Sequence, residues 1–321
     1  MNNVITYSPA YTIVPTYECF NRCSYCNFRV DPNKGNSLTH SEVLNILQKV
    51  DKEKIAEILV LSGEVHPASN KRVEWFTKVQ EICELFLSFG FLPHTNVGPL
   101  SWQEMKQLKK VNVSMGLMLE QLNPKFMQTV HKHAPSKEPK LRLQQLEWAG
   151  KLKIPFTTGV LLGIGETILD IEQSLKAIAQ IHQKWGHIQE VILQPHSVGS
   201  RQEAADLPSF DLEKLPGIIA LTKQILPDDV AIQIPPNLVS GADFLLECLD
   251  AGVTDLGGIS PIDEVNPDYA HPTHKSLSEI LQPAGWSLRP RLPVYPKYYS
   301  WLSSSLQKGV MMKKKNLILE Y

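Results

Sequence analysis

Short apolar runs and longer amphipathic stretches alternate along almost the whole chain. The runs read as strands at Thr12–Thr16, Glu57–Leu61, Phe91–His94, Asn112–Leu117, Phe156–Leu162, Ile188–Leu193, Val230–Ile234 and Thr254–Leu256. Between them, apolar positions recur at the helical period over His40–Lys49, Arg72–Phe89, Trp102–Leu108, Leu141–Leu152, Ile168–Trp185, Leu212–Leu226 and Ala242–Asp250. Regular strand-then-helix alternation implies parallel strands joined by right-handed crossovers. About eight such units predict an α/β fold of the (β/α)8 TIM-barrel type rather than an open sheet. No repeat, low-complexity block or linker interrupts the pattern. A single domain over 1–321 is therefore expected, with a core over about 12–285 and a tail from about 286. Beyond Pro272 the pattern predicts a last helix, with Leu288–Tyr299 crossing one face of the barrel.

In such barrels chemistry gathers where the strands end. Those ends carry Ser62-Gly63-Glu64, His94-Thr95-Asn96, Met118-Leu119-Glu120, Gly163-Ile164-Gly165-Glu166, Gln194-Pro195-His196, Pro235-Pro236-Asn237 and Gly257-Gly258-Ile259-Ser260. Any one polar loop is ordinary, but a ring of them marks a working face.

Charge narrows the function classes. Lys+Arg 32 against Asp+Glu 33 gives a net charge of −1 without a basic stripe, so no nucleic-acid partner is expected. Lys313-Lys314-Lys315 reads as a short solvated run. No apolar stretch approaches the roughly 18 residues of a membrane span, and Met1–Tyr7 has no secretory pattern. The expectation is a cytoplasmic protein that does not enter a membrane. The five cysteines are an odd count, which argues against a disulfide framework. Cys83 and Cys248 lie in helical apolar patterns and read as core residues.

The other three cysteines form Cys19-Phe20-Asn21-Arg22-Cys23-Ser24-Tyr25-Cys26. Three thiolates at C-x3-C-x2-C spacing can hold three corners of a cubane iron–sulfur cluster and leave the fourth iron open to a small molecule. A structural zinc site would need a fourth ligand; the nearest histidine in sequence is His40. Tyr25 and Phe28 can shield a cluster from water. In Ser62-Gly63-Glu64, a glycine lets backbone approach a ligand and a carboxylate can receive an ammonium group. An ordinary strand-to-helix turn would read the same way. Gly159 through Thr167 is no dinucleotide fingerprint, because the third glycine position of G-x-G-x-x-G falls on Ile168. Gly163 and Gly165 can still admit an adenine, and Thr167 can cap the next helix. Glu120 and Arg142 are candidates for the ribose and carboxylate of a nucleoside ligand, since an arginine can grip a carboxylate with two donors. His94, Asn96, His196 and Asn237 are candidate substrate contacts. His131 and His133 read as loop residues.

The cysteine segment resembles the radical S-adenosylmethionine superfamily, with Ser62-Gly63-Glu64 standing where Gly-Gly-Glu is usual. The longer stretches are Leu92–Asn96, Ser114–Glu120, Ile154–Gly159, Gly163–Thr167, Asp255–Pro261 and Arg291–Pro296. They make the chain similar, from about Thr12 to Trp301, to the CofG-type family that forms a deazaflavin chromophore. One segment departs from the family pattern. Leu193-Gln194-Pro195-His196-Ser197-Val198-Gly199 replaces the Gln-Asn-Phe found in many members.

The resemblance implies one [4Fe-4S] cluster on Cys19, Cys23 and Cys26. It implies S-adenosylmethionine held by Tyr25, Ser62, Gly63, Glu64, Glu120, Arg142, Gly163 and Gly165. It also implies a radical lyase acting on a hydroxybenzyl–ribityl-uracil adduct with loss of ammonia. A reducing electron donor and a CofH-type companion radical enzyme would serve it. A biotin-synthase-like or tyrosine-processing radical enzyme is the rival on the same scaffold, although only Cys83 and Cys248 remain to hold an auxiliary cluster. A non-catalytic metal-binding barrel is the rival of a different class.

Overall fold

Eight parallel strands follow one another around a closed barrel: β1 (Asn3–Ile13), β2 (Glu57–Leu61), β3 (Leu92–Asn96), β4 (Ser114–Gly116), β5 (Phe156–Leu162), β6 (Ile188–Pro195), β7 (Ala231–Gln233) and β8 (Asp255–Ile259). Each pairs with the next, and β1 closes the ring by pairing with both β2 and β8. Helices α1 (His40–Leu47), α2 (Arg72–Ser88), α3 (Trp102–Leu108), α4 (Pro139–Lys151), α5 (Ile168–Trp185), α6 (Leu215–Ile225), α7 (Ala242–Ala251) and α8 (His274–Leu281) cover the outside. This computed structural model describes residues 3–204, 206–239 and 241–320.

Local sequence explains the boundaries. Thr167 accepts a hydrogen bond from the Asp170 amide while Asp170 reaches back, a capping box that starts α5. Gly186, at φ 66°, ends it. The inner face of α5 buries Ile171, Leu175 and Ile178 against the sheet. Strands β2 and β5 and helices α3 and α5 occupy the residues that the hydrophobic pattern marks. Cys83 and Cys248 are fully buried, as expected of core residues.

Three elements differ from the pattern. β1 begins at Asn3, well before Thr12, because its first half has a partner far away in sequence. That partner is a ninth strand, β9 (Trp286–Pro290), in parallel register with Asn3–Tyr7. β9 occupies the lower part of the β1 edge whose upper part, Ala10–Ile13, pairs with β2. The segment read as a tail therefore contributes to the sheet, and its end forms a further helix, α9 (Ser304–Glu320). Lys313 on α9 is not solvated. It is buried, and its ammonium donates to the carbonyl oxygens of Lys52 (2.8 Å) and Ile55 (3.1 Å).

Beyond β9 the chain does cross a barrel face, the N-terminal one. Ser114 Oγ and Gln189 Nε2 donate to the Pro293 carbonyl at 2.6 and 3.0 Å. Arg291 grips Asp255 with two donors (2.6 and 2.7 Å) and pairs with Glu190. This plug shuts the barrel floor and leaves the mouth at the C-terminal ends of the strands as the open face.

Candidate active site

The cysteines lie in the long loop after β1, and four other segments hold that loop over the mouth. Backbone amides of Cys19, Phe20, Arg22 and Ser24 donate to the carbonyls of Val30, Glu64, His133 and Val130, and the amides of Glu203 and Ala204 donate to Ser24. Asn27, just past the last cysteine, donates to Asp268 (2.9 Å) and accepts from the Arg201 amide (2.7 Å), tying in the loops after β8 and β6. Asp31 pairs with Arg22, Arg29 and Lys34. The hydrogen bonds from Arg22 and Arg29 hold its carboxyl down at about 2.

Cys23 is buried, Cys19 and Cys26 are half-buried, and none forms a disulfide. Among the described residues no three His, Cys, Asp or Glu side chains converge on one metal ion. A cubane asks for something else, because each thiolate binds its own iron. The protein alone holds Cys19 and Cys23 as protonated thiols. Burial, more than any neighbouring charge, pushes Cys23 up to about 12, and burial followed by the Glu64 carboxylate raises Cys19. Thiols in this setting become thiolates only when a cation pays for the charge, and cluster iron supplies one. Asn21 Nδ2 lies 3.8 Å from Cys19 Sγ, a weak donor to that sulfur. The set fits a three-cysteine cluster.

Glu64 stands beside it at the end of β2. A Cβ on Gly63 would meet the Glu18 carbonyl oxygen at 2.1 Å, and a Cβ on Gly98 would meet the Glu64 side chain at 2.4 Å. Gly98 therefore leaves the space in which the Glu64 side chain sits, and Gly63 lets the Tyr17–Glu18 backbone close on the end of β2. Glu64 accepts from Asn21 (2.9 Å) and Arg142 (3.3 Å). Ser62 points away from the mouth: its hydroxyl accepts from Trp75 Nε1 (2.9 Å) and donates to the Gly63 carbonyl (2.8 Å).

Arg142 is almost wholly buried at the start of α4. It also donates to the carbonyls of Ser136 (3.0 Å) and Met118 (2.7 Å), so it braces Glu64 and the end of β4. Glu120 has a left-handed backbone (φ 67°) and pairs with Lys137. Burial raises the Glu120 carboxyl, but Lys137 and Arg142 outweigh it and leave a net lowering. Burial and Arg142 lower Lys137, and Glu120, Cys23 and Glu64 more than restore it. Both partners are charged. Lys137 is the cation nearest the buried cysteine that the sequence reading missed, along with Asn21, Ser136 and Gly98. Only Asn21, inside the cysteine motif, carried any local signal.

Tyr25 packs against Phe126, Leu161 and Ile164, burial keeps its phenol protonated, and the phenol oxygen is hydrogen-bonded with His131 Nε2 at 2.9 Å. Gly163 and Gly165 both have positive φ, but Glu166 folds back to accept from the Gly163 and Ile164 amides at 2.6 and 2.8 Å. His196 is tied into its own loop, with its ring nitrogens 2.9 Å from the Pro208 carbonyl and 3.1 Å from Gln202 Oε1. Asn237 donates to Asp263 (2.8 Å) and the Tyr269 carbonyl (3.1 Å). His94 and Asn96 face the barrel lumen, His94 deep and Asn96 half-exposed near the mouth.

Comparison with known proteins agrees with this geometry. Residues 13–178 match the Radical SAM superfamily. A 7,8-didemethyl-8-hydroxy-5-deazariboflavin synthase of Nostoc sp. is 61% identical over 96% of this chain and 91% of its own. The Synechocystis sp. protein of the same name is 57% identical over 95% and 97%. Among solved structures, the hydrogenase maturase HydG from Carboxydothermus hydrogenoformans superimposes with a TM-score of 0.72 at 18% identity, over 99% of this chain and 78% of that one. Methylornithine synthase (PylB) gives 0.67 at 16%, over 90% and 84%. At that identity these two speak for the fold alone. The chain belongs to the radical S-adenosylmethionine superfamily and, within it, to the family of the 7,8-didemethyl-8-hydroxy-5-deazariboflavin synthases.

Proposed function

We propose that this protein is a radical lyase that forms 7,8-didemethyl-8-hydroxy-5-deazariboflavin. Its substrate is a dihydrouracil carrying a hydroxybenzyl and a ribitylimino group, and ammonia, 5′-deoxyadenosine and methionine leave. The observation that carries this reading is 61% sequence identity over nearly the whole chain to a synthase of that name, with the three cysteines and Glu64 set at one mouth. A CofH-type companion enzyme would supply the adduct, and a reducing donor the electron.

Cys19, Cys23 and Cys26 would hold the [4Fe-4S] cluster, and Glu64, Glu120, Lys137 and Gly63 would line the S-adenosylmethionine site. When bound, the pair supplies a 5′-deoxyadenosyl radical by reductive cleavage. The protein's part is orientation and exclusion of water. Asn21 and Arg142 fix the Glu64 carboxylate to face an ammonium group. Lys137 offers a cation to a carboxylate, and Glu120 offers acceptors to ribose hydroxyls. The floor plug closes the far end, so the radical meets substrate rather than solvent.

The test is anaerobic. Reconstituted protein receives reductant, S-adenosylmethionine and the adduct, and 5′-deoxyadenosine and fluorescent deazaflavin are measured together. Both products are expected. 5′-Deoxyadenosine without deazaflavin would overturn the substrate; neither product, with the cluster intact, would overturn the activity.

A further inference from the structure

Polar groups at the barrel floor form a hydrogen-bond chain with a fixed direction. The Pro293 carbonyl can only accept. Ser114 Oγ lies 2.6 Å from it and donates its single proton there. His94 Nδ1 lies 2.7 Å from the same hydroxyl oxygen. Ser114 has no second proton to offer, so His94 is the donor in that contact and carries its hydrogen on Nδ1. In a neutral ring the other nitrogen, Nε2, is then a bare acceptor. The ring is neutral: burial, and then the Arg291 guanidinium, press His94 down to about 3.

Nε2 has no hydrogen-bond partner among the described residues. It faces the lumen, where a Cβ on Gly116 would lie 3.0 Å from it. Gly116 shares the lumen face of β4 with Ser114, two residues earlier, so no side chain of β4 stands between His94 Nε2 and the lumen, and Gly159 on the next strand leaves room for the Met118 side chain, whose Cε would lie 2.8 Å from a Cβ there. The adjoining wall on β2, where Leu59 is in register with His94, is apolar, as is Ile192 farther round the barrel on β6. Leu59 and Leu61 on β2 and Ile192 on β6 are half-buried, while Ile58, Val60 and Val191, which face the helices, are fully buried. The lumen is thus reachable from the mouth and apolar on these walls, with the unpartnered His94 Nε2 set deep within it, near the Arg291 floor whose carboxyls are engaged with the guanidinium.

We infer that His94 Nε2 receives the phenolic hydroxyl of the substrate's hydroxybenzyl group, and that Ser114 and the Pro293 carbonyl hold the imidazole in the accepting tautomer. This rests on the substrate reading above. An aryl ring suits apolar walls, and its hydroxyl is its only hydrogen-bond donor; the polyol of the ribityl chain belongs at the wetter mouth. His94 binds and orients. It is too weak a base at neutral pH to take the proton.

The experiment compares two ligands on two proteins, using unreduced holoenzyme with S-adenosylmethionine so that no turnover occurs. The ligands are the hydroxybenzyl adduct and its benzyl analogue, which lacks the hydroxyl. Wild type should bind the analogue about ten- to a hundredfold more weakly, because a buried acceptor is left unpaired. His94→Met should bind the two within about threefold of each other. Equal losses in both proteins would overturn the assignment of the phenol to His94. Should His94→Met fail to fold, Ser114→Ala serves, with the same narrowing expected and an unchanged ratio counting against the chain. Nitrogen NMR of His94 in wild type gives an independent reading: an Nδ1–H ring is expected, and an Nε2–H ring would refute the acceptor. Wild type that neither binds nor converts the adduct would sink the substrate reading instead, and the phenol assignment with it.

Discussion

Gly63 lies so close beneath Glu18 that a Cβ on it would stand 2.1 Å from the Glu18 carbonyl oxygen, a distance no packing can accommodate. The Gly63 amide meanwhile donates to the Thr16 carbonyl at 2.8 Å. The end of β2 and the start of the cysteine loop are thereby fused, and Glu64 inherits its place from that junction. Gly63→Ala must push the Tyr17–Glu18 backbone away from Glu64. S-Adenosylmethionine affinity should fall at least about tenfold even where iron content is normal. Ser62→Gly is the contrast. It removes the acceptor of Trp75 Nε1 and the hydroxyl's donation to the Gly63 carbonyl, leaves the Gly63–Glu18 junction in place, and should cost about 1–2 kcal/mol of stability with affinity preserved. Equilibrium binding and denaturant unfolding separate the two; equal affinities for Gly63→Ala and wild type would refute the junction.

Cys23 is the buried member of the cysteine set, and its thiol cannot ionise near neutrality without a cation beside it. Cys23→Ala should lose the iron–sulfur absorption and all 5′-deoxyadenosine formation. Cleavage of S-adenosylmethionine by that variant would show that the cluster is held elsewhere.

Lys137 and Glu120 are a charged pair with side chains only 14% and 8% exposed. Removing one partner strands the other. Lys137→Met should destabilise by about 3 kcal/mol, and Lys137→Met with Glu120→Gln should recover most of that. Cofactor affinity should stay low in both, since the cation facing the site is gone. Thermal unfolding and S-adenosylmethionine binding, measured on both variants, check this; full affinity in the double variant would assign the pair a purely structural role.

The legible and illegible parts of this protein divide by the reach of the interactions that fix them. The Thr167–Asp170 cap and the apolar stripe of α5 are local, so Ile168–Trp185 is a helix in both sequence and structure. The cysteine spacing is local too. β9 was illegible because Trp286–Pro290 is short and only half-buried, and its pairing partner lies at the other end of the chain. Arg142 reads as a surface arginine in its own helix. Its burial comes from Ser136, Met118 and Glu64, which reach it from three other places. Lys137 has the same history, and Lys313 buries its charge only because α9 packs on the loop before β2.

Arg291 at the barrel floor faces Glu57, Glu190 and Asp255, three buried carboxyls against one guanidinium. They cannot all ionise cheaply in that space. Burial raises Glu190 to about 7, even though Arg291 pulls the other way, and burial raises Glu57 as well. The sign follows from proton counting. Between the ordinary value of 4.5 and about 7, folded Glu190 holds a proton that the unfolded chain has released. Stability from this group is therefore full below about 4.5 and declines as pH rises toward 7. Glu190→Gln keeps the shape without the charge, so its stability relative to wild type should increase from pH 5 to pH 8. Thr157, which donates to Glu190 at 2.8 Å, can serve the amide oxygen equally well. Denaturant unfolding of both proteins across that range decides it, and parallel pH profiles would mean that the floor carries no shared proton.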